Sequence, residues 1–149
     1  MNPCNVLILP GWQGSGPTHW QSRWERTHGY TRVEQHDWMR PLRGDWISRL
    51  EDVLLSCDEP AVLVAHSRNT HRVKGALLVA PPDVERDDVR ALLPSWSPVA
   101  RGRLPFATRL FASSNDPYCS HEQARENDTA WGTEVIDVGR RGHLNADSG

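Results

Sequence analysis

The sequence predicts an α/β fold with a mostly parallel sheet, and two features of the chain support this class. Short apolar runs alternate with stretches of helical spacing, which is typical of strands connected by helices. Several runs are apolar at every position, and this indicates strands buried on both faces, as in a parallel sheet. The predicted strands cover residues 6–9, 31–34, 61–65, 73–80, 109–112 and 134–138.

Helices are predicted between these strands. A helix is expected from Thr18, because Trp20 and Trp24 stand four residues apart and so share one helical face. Asp45 is expected to cap a second helix. The apolar residues of that helix follow helical spacing and are Trp46, Ile47, Leu50, Val53 and Leu54. Residues 122–131 are expected to form a further helix.

The length and composition indicate one compact domain over residues 1–149. The chain has 149 residues, of which 38% are hydrophobic and 24% charged, as in ordinary globular proteins. The net charge of −2 gives no electrostatic reason to expect binding to nucleic acid or to an anionic membrane. No apolar run approaches the roughly 20 residues that a membrane-spanning helix needs, and the first residues lack the features of a signal peptide.

Cysteine usage favours a reducing compartment, and we expect a cytoplasmic protein. The three cysteines, Cys4, Cys57 and Cys119, are far apart and form no C-x-x-C pair. This pattern argues against a disulfide framework and against a structural zinc site. The histidines near the predicted strand ends also lack metal-ligand spacing such as H-E-x-x-H. We therefore expect neither a metal nor another cofactor.

Three residues with hydrolytic chemistry follow predicted strands. Ser67 follows the strand at 61–65, Asp116 follows the strand at 109–112, and His143 follows the last strand. Ligands of open parallel sheets bind beyond the carboxyl ends of the strands, so these three side chains are expected to meet there. Their order along the chain is the order found in α/β-hydrolases.

The three residue types also complement one another chemically. A serine hydroxyl becomes an effective nucleophile when a histidine accepts its proton, and a carboxylate fixes the tautomer of that histidine. We therefore predict Ser67 as the nucleophile, His143 as the base and Asp116 as the acid that orients it. Each residue alone has a more ordinary interpretation as part of a turn or an exposed loop. The combination, in this order and at strand ends, favours function.

Hydrolysis through a serine also requires backbone donors for the oxyanion. One donor is expected from the N–H of Arg68, the residue after the nucleophile, and another from the glycine-rich turn that begins at Gly11. Trp12 lies in that turn and is expected to line the substrate pocket.

Six short motifs run from the first predicted strand to the last residues. They are Pro10-Gly11-Trp12, Ser15-Gly16-Pro17, His19-Trp20-Gln21, Ala65-His66-Ser67, Asn115-Asp116-Pro117 and Gly142-His143-Leu144-Asn145. In these motifs the sequence resembles the small serine hydrolases related to retinoblastoma-binding protein 9. The resemblance implies a compact α/β-hydrolase with helices on both faces and no large cap. It also implies Ser67, Asp116 and His143 as the catalytic residues, and a small ester, amide or peptide as substrate.

The chain departs from this pattern directly after Ser67. The expected G-x-S-x-G turn is replaced by Ala65-His66-Ser67-Arg68-Asn69. Five residues separate Ser67 from Val73, whereas a parallel crossover normally needs a dozen or more, usually as a helix. The helix after the nucleophile is therefore predicted to be missing. The chain ends six residues after His143, so the C-terminal helix of the family is predicted to be missing too.

Three explanations of the short connection stay open. They are a segment omitted from the sequence, a real deletion, and a non-standard connection between the two strands. The first functional hypothesis is a serine hydrolase that acts through an acyl-enzyme. The alternative, which the missing helix favours, is a non-catalytic or damaged member that binds a partner through the same cleft.

Two further features of the sequence allow other interpretations. Cys119 stands close to His121 and would be a nucleophile if the two paired. The segment Leu55-Ser56-Cys57-Asp58-Glu59 matches the L-x-C-x-E pattern of pocket-protein ligands. Such short patterns often arise by chance, and we do not expect a protein partner there.

Overall fold

A six-stranded parallel sheet forms the centre of the molecule. The structure, a computed structural model, describes residues 6–65 and 73–148. The strands are β1 (Val6–Ile8), β2 (Thr31–Arg32), β3 (Ala61–Ala65), β4 (Val73–Val79), β5 (Ala107–Ala112) and β6 (Glu134–Asp137). Their order across the sheet is β2-β1-β3-β4-β5-β6, and every neighbouring pair is parallel. The predicted α/β class with a mostly parallel sheet is confirmed.

Four α-helices connect or flank these strands in the described part of the chain. They are α1 (Trp20–His28), α2 (Arg43–Ser56), α3 (Asp87–Leu92) and α4 (His121–Trp131). Short 3₁₀ helices cover Pro94–Trp96 and Ala146–Ser148. No helix in residues 6–65 and 73–148 is both long enough and apolar enough to cross a membrane.

The ends of α1 and α4 follow from their capping residues. The His19 side chain accepts a hydrogen bond from the Gln21 N–H at the start of α1, and Ser120 caps α4 in the same way through Gln123. Each helix stops at a glycine in the left-handed conformation, Gly29 for α1 and Gly132 after α4. The local sequence therefore sets both ends of each helix.

The predicted cap of α2 is wrong. The helix begins at Arg43 after Leu42, which makes no side-chain capping bond, and Asp45 lies inside the first turn. At that position the carboxylate still interacts favourably with the helix dipole. The N-terminus is also held from outside, because the Ser95 hydroxyl accepts a hydrogen bond from the Arg43 N–H at 3.0 Å.

The core lies on the side of the sheet that α2 and α4 cover. Leu50 and Leu54 of α2 pack in one cluster with residues of β1, β3 and β4, and α4 packs in a second cluster with β4 and β5. Leu7 and Ile8 point to opposite faces of β1, and both are 0% exposed. Both faces of the sheet are therefore covered at this strand.

Coverage differs between the two faces of β4 and β5. Ala76 and Leu78 are buried on one face of β4, whereas Leu77 and Val79 are half-buried on the other. Phe111, the partner of Val79 in β5, is also half-buried. One face of the sheet is thus less completely covered at these two strands.

The connection between β3 and β4 is as short as the sequence indicates. These strands are parallel neighbours, yet β3 ends at Ala65 and β4 begins at Val73. The predicted absence of a helix after the nucleophile concerns residues 66–72, which lie outside the described part of the chain.

Leu110 of β5 offers a test of the core. The residue is 0% exposed and belongs to the cluster beneath α4, so Leu110→Ala is expected to lower the free energy of unfolding by about 3 kcal/mol. The measurement is urea denaturation followed by circular dichroism. Leu55→Ala is the matched control, because Leu55 is 66% exposed, and it is expected to change the value by less than about 0.5 kcal/mol. Equal effects of the two substitutions would contradict this packing.

Candidate active site

Asp116 and His143 meet at the carboxyl edge of the sheet. Asp116 follows β5 and His143 follows β6, and the parallel pairing of these strands brings the two loops together. His143 Nδ1 lies 3.0 Å from Oδ2 and 3.1 Å from Oδ1 of Asp116. The carboxylate side chain is 2% exposed, and the imidazole is 26% exposed. An Nδ1–H donor bound to Asp116 leaves Nε2 of His143 as the proton acceptor.

Tyr118 fixes this pair from the side. Its backbone N–H donates to Oδ1 of Asp116 at 2.8 Å. Its ring meets the His143 ring edge to face, with centroids 4.7 Å apart. The carboxylate is therefore oriented by its own loop, and the imidazole packs against an aromatic ring.

The loop that carries His143 is bound to the end of β5. The Asn115 side-chain oxygen accepts a hydrogen bond from the Gly142 N–H at 2.8 Å. The Ser113 hydroxyl accepts one from the Arg141 N–H at 2.9 Å, and Ser113 is 1% exposed. Sequence reasoning missed both supports, because serine and asparagine are also common in simple turns.

The turn that begins at Gly11 is also fixed. The Gly11 carbonyl accepts a hydrogen bond from the Gly14 N–H at 2.9 Å, and the Gln13 N–H donates to the Trp38 carbonyl at 2.9 Å. The indole of Trp12 donates to the Met39 carbonyl at 3.1 Å. Among the described residues none accepts a hydrogen bond from the Trp12 backbone N–H. The Gln13 and Gly14 N–H groups are thus occupied within the protein, whereas the Trp12 N–H is not occupied by any described residue.

A hydrogen bond connects the helix after the Gly11 turn to the loop after β6. Four strand spacings, about 19 Å, separate β1 from β6 in the sheet. Even so, the indole of Trp20, in the helix that follows the Gly11 turn, donates a hydrogen bond to the Leu144 carbonyl at 2.7 Å. Ser67 and Arg68 follow β3 in sequence, but both lie outside the described residues.

A second histidine, His19, lies close to this pair. Burial lowers the pKa of His19 below 6.5, and the charges of Arg32 and His143 lower it further. Its Nδ1 accepts the capping hydrogen bond from the Gln21 N–H at 3.2 Å, which favours the neutral tautomer with the proton on Nε2. His19 is therefore a neutral donor at the start of α1, within electrostatic range of His143.

The cysteine interpretation does not fit the structure. Cys119 is 5% exposed, and burial, with the charges of Asp116 and Asp83, raises the pKa of its thiol to about 12. His121 contacts Asp137 at 3.2 Å instead of pairing with Cys119. A thiol in this environment is a poor nucleophile at neutral pH.

Cys119 is expected to resist alkylation in the folded protein. At pH 8, a thiol with a pKa of about 12 is a thiolate in only about one molecule in ten thousand. Iodoacetamide treatment followed by peptide mass spectrometry is expected to leave Cys119 unmodified until urea is added. Rapid modification of Cys119 in the native protein would contradict the burial and charge environment described above.

His19 is expected to make stability depend on pH. Because its folded pKa lies below the ordinary histidine value of 6.5, the unfolded chain takes up the proton first as the pH falls. The stabilisation is present above about pH 6.5 and is lost as the pH falls towards the lowered pKa. His19→Asn keeps a capping oxygen but cannot titrate. Its unfolding free energy, from urea denaturation, is expected to fall less than that of the wild type between about pH 7.5 and pH 5.5; an equal fall in both proteins would contradict this assignment.

Among the residues that the structure describes, no group of three or more histidine, cysteine or acidic side chains could hold a metal ion.

Comparison with known proteins identifies the family of the chain. The family model described as serine hydrolase matches residues 6–149. The fold is similar to that of a protein named as a YdeN-like hydrolase from Pectobacterium atrosepticum, with 30% identical residues and a TM-score of 0.84. That similarity covers 97% of this chain and 82% of the other. Among curated protein sequences, none matches the chain.

Two more distant structures share the fold. The ydeN gene product of B. subtilis has 17% identity and a TM-score of 0.72, over 95% of this chain and 88% of the other. A hydrolase of the α/β superfamily from Xanthomonas campestris has 16% identity and a TM-score of 0.57, over 97% and 94%. The expected relation to retinoblastoma-binding protein 9 stays a prediction. The family match over residues 6–149 and the 30% identical structure show that this chain belongs to the serine hydrolase family of α/β fold.

Proposed function

We propose that the chain cleaves a small ester, amide or peptide bond through a triad of Ser67, His143 and Asp116. The observation that carries this proposal is the His143–Asp116 pair. The imidazole Nδ1 contacts both oxygens of a carboxylate that is 2% exposed, and the family match is to serine hydrolases. We include Ser67 because it follows β3 in the sequence. The order Ser67, Asp116, His143 along the chain is also the order found in α/β-hydrolases.

In the proposed reaction, the Ser67 hydroxyl oxygen attacks the carbonyl carbon of the substrate and gives its proton to Nε2 of His143. The imidazolium forms beside Asp116, whose charge stabilises it. The protonated imidazole then donates the proton to the leaving alcohol or amine, and an acyl-serine remains. Water, deprotonated by His143, attacks the acyl group and releases the acid and the free serine.

The negative oxygen of the tetrahedral intermediate would bind to backbone N–H groups. We assign one donor to the N–H of Trp12, since the neighbouring N–H groups of Gln13 and Gly14 already donate within the protein. The second donor would be the N–H of Arg68, directly after the nucleophile. Tyr118, which is 41% exposed beside His143, would pack against an apolar part of the substrate.

The segment 55–59 has no role in this proposal. Cys57 is 2% exposed, lies in the core cluster of α2, and donates its Sγ–H to the Val53 carbonyl at 3.2 Å. The L-x-C-x-E pattern would therefore need local unfolding before the cysteine reached a partner. Capture of the folded chain by an immobilised pocket-domain protein would contradict this interpretation.

Reaction with a fluorophosphonate probe tests the proposed nucleophile. The wild type is expected to be labelled at Ser67, as located by peptide mass spectrometry, and Ser67→Ala is expected to abolish labelling. Asp116→Asn is expected to lower the rate of labelling by a factor on the order of 10³ to 10⁴, because the amide supports the wrong imidazole tautomer. Ser114→Ala, at an exposed serine after β5, is the matched control and is expected to label normally.

The contrary result identifies the alternative function. A protein whose circular dichroism shows a folded α/β domain, and which neither reacts with the probe nor hydrolyses p-nitrophenyl acetate, is not a serine hydrolase by this mechanism. That result would favour the alternative, a non-catalytic or damaged family member that binds a partner through the same cleft, and a stable co-purifying partner would support it.

A further inference from the structure

Leu144, the residue directly after His143, has an unusual backbone conformation. Its φ is +53°, in the left-handed region that side chains other than glycine, asparagine and aspartate rarely adopt. A leucine remains there only when the surrounding structure holds it. Contacts with the surrounding structure therefore hold Leu144, which adjoins His143 in the chain.

Trp20 supplies such a contact. Its indole N–H donates to the Leu144 carbonyl at 2.7 Å, across 124 positions of the sequence. The helix α1 that carries Trp20 is itself anchored, because the Gln21 side chain donates to the Leu9 carbonyl at 3.2 Å and Gln21 is 2% exposed. The indole is thus a fixed donor and not a mobile surface group.

Fewer hydrogen bonds connect the chain to other elements after His143 than before it. Before the histidine, Ser113 and Asn115 bind the backbone N–H groups of Arg141 and Gly142. After it, the remaining bonds of residues 144–148 stay within the loop itself. Within the part of the chain that the structure describes, the Trp20 bond is the one hydrogen bond that connects residues 144–148 to another element.

We propose that Trp20 is a positioning residue for His143. Its indole N–H holds Leu144 in the left-handed conformation, and this keeps Nδ1 of the imidazole against Asp116. The inference rests on the proposed function for its kinetic consequences, but the contact between Trp20 and Leu144 exists independently of any reaction.

Trp20→Phe tests the role of the indole N–H, because it removes the donor and keeps an aromatic ring. With p-nitrophenyl acetate, kcat is expected to fall at least tenfold while KM changes less than twofold. A misplaced base weakens the chemical step more than substrate binding. The rate of fluorophosphonate labelling at Ser67 is expected to fall by the same factor as kcat.

Leu144→Gly in the Trp20→Phe background provides the rescue. Glycine adopts positive φ without steric cost, so the turn no longer needs the indole to hold it. The logarithm of kcat for the double variant is expected to lie at least halfway from the Trp20→Phe value to the wild-type value. A purely structural role of Trp20 in the packing of α1 predicts no such recovery, since Leu144→Gly restores nothing in that packing.

Trp131→Phe is the matched control. The Trp131 indole also donates to a backbone carbonyl, that of Ala100 at 3.0 Å, but at the end of α4 and away from His143. Its kcat is expected to equal that of the wild type. An equal fall of kcat in Trp20→Phe and Trp131→Phe, or no fall in Trp20→Phe, would overturn the proposal.

A readout that needs no substrate separates this inference from the proposed function. The proton on Nδ1 of His143, bound to Asp116, is followed by NMR in the wild type and in both tryptophan variants. It is expected to exchange faster with solvent in Trp20→Phe and to be unchanged in Trp131→Phe. If the wild type fails to label at Ser67, the hydrolase proposal fails, while this exchange rate still decides whether Trp20 holds the histidine. An unchanged exchange rate in Trp20→Phe would overturn the positioning role.

Discussion

The parallel pairing of all six strands is the constraint on which the candidate site depends. Because every pair is parallel, every strand ends at the same edge of the sheet, and the loops after β1, β5 and β6 all begin there. The register of β5 with β6, in which Ala112 faces Asp137, starts the two loops side by side. The 3.0 Å contact between His143 and Asp116 is a consequence of that register.

Backbone strain is concentrated at the same edge. In the described part of the chain, three residues other than glycine have positive φ, namely Gln13, Ala80 and Leu144. Each lies in a loop that follows a strand, and each is held by a hydrogen bond. The Gln13 N–H donates to the Trp38 carbonyl, the Ala80 N–H donates to the Phe111 carbonyl, and the Leu144 carbonyl accepts from Trp20. Such residues persist where the surrounding structure fixes them, and they occur often at functional sites.

The sequence allowed the strands and the pair of Asp116 and His143 to be predicted, because both depend on local patterns. Continuous apolar runs identify buried strands, and polar residues directly after them identify the functional edge. The pattern fails where burial is partial. β5 begins two positions earlier than predicted. The apolar pattern does not reveal this start, because Ala107 is exposed and the buried Thr108 is polar. The pattern also does not reveal α3, because Val89 is its one buried residue.

The supports of the site could not be predicted for a different reason. Ser113 and Asn115 look like turn residues, and their role follows only from bonds to a loop 27 or 28 positions away. Trp20 shares a helical face with Trp24, and this pattern indicates packing within the helix, which the edge-to-face contact of their rings confirms. The same indole also reaches Leu144, 124 positions away. Local spacing carries no information about such a contact.

The handedness of the connections explains why that contact involves α1. The step from β1 to β2 runs across the sheet in the opposite direction to the later steps. Right-handed crossovers therefore place α1 on one face and the later helices on the other. Among the described elements, α1 is then the one α-helix on its face, and this accounts for the half-buried Leu77 and Val79. In the described part of the chain, the residues that follow β6 contact α1 through the hydrogen bond from the Trp20 indole N–H to the Leu144 carbonyl.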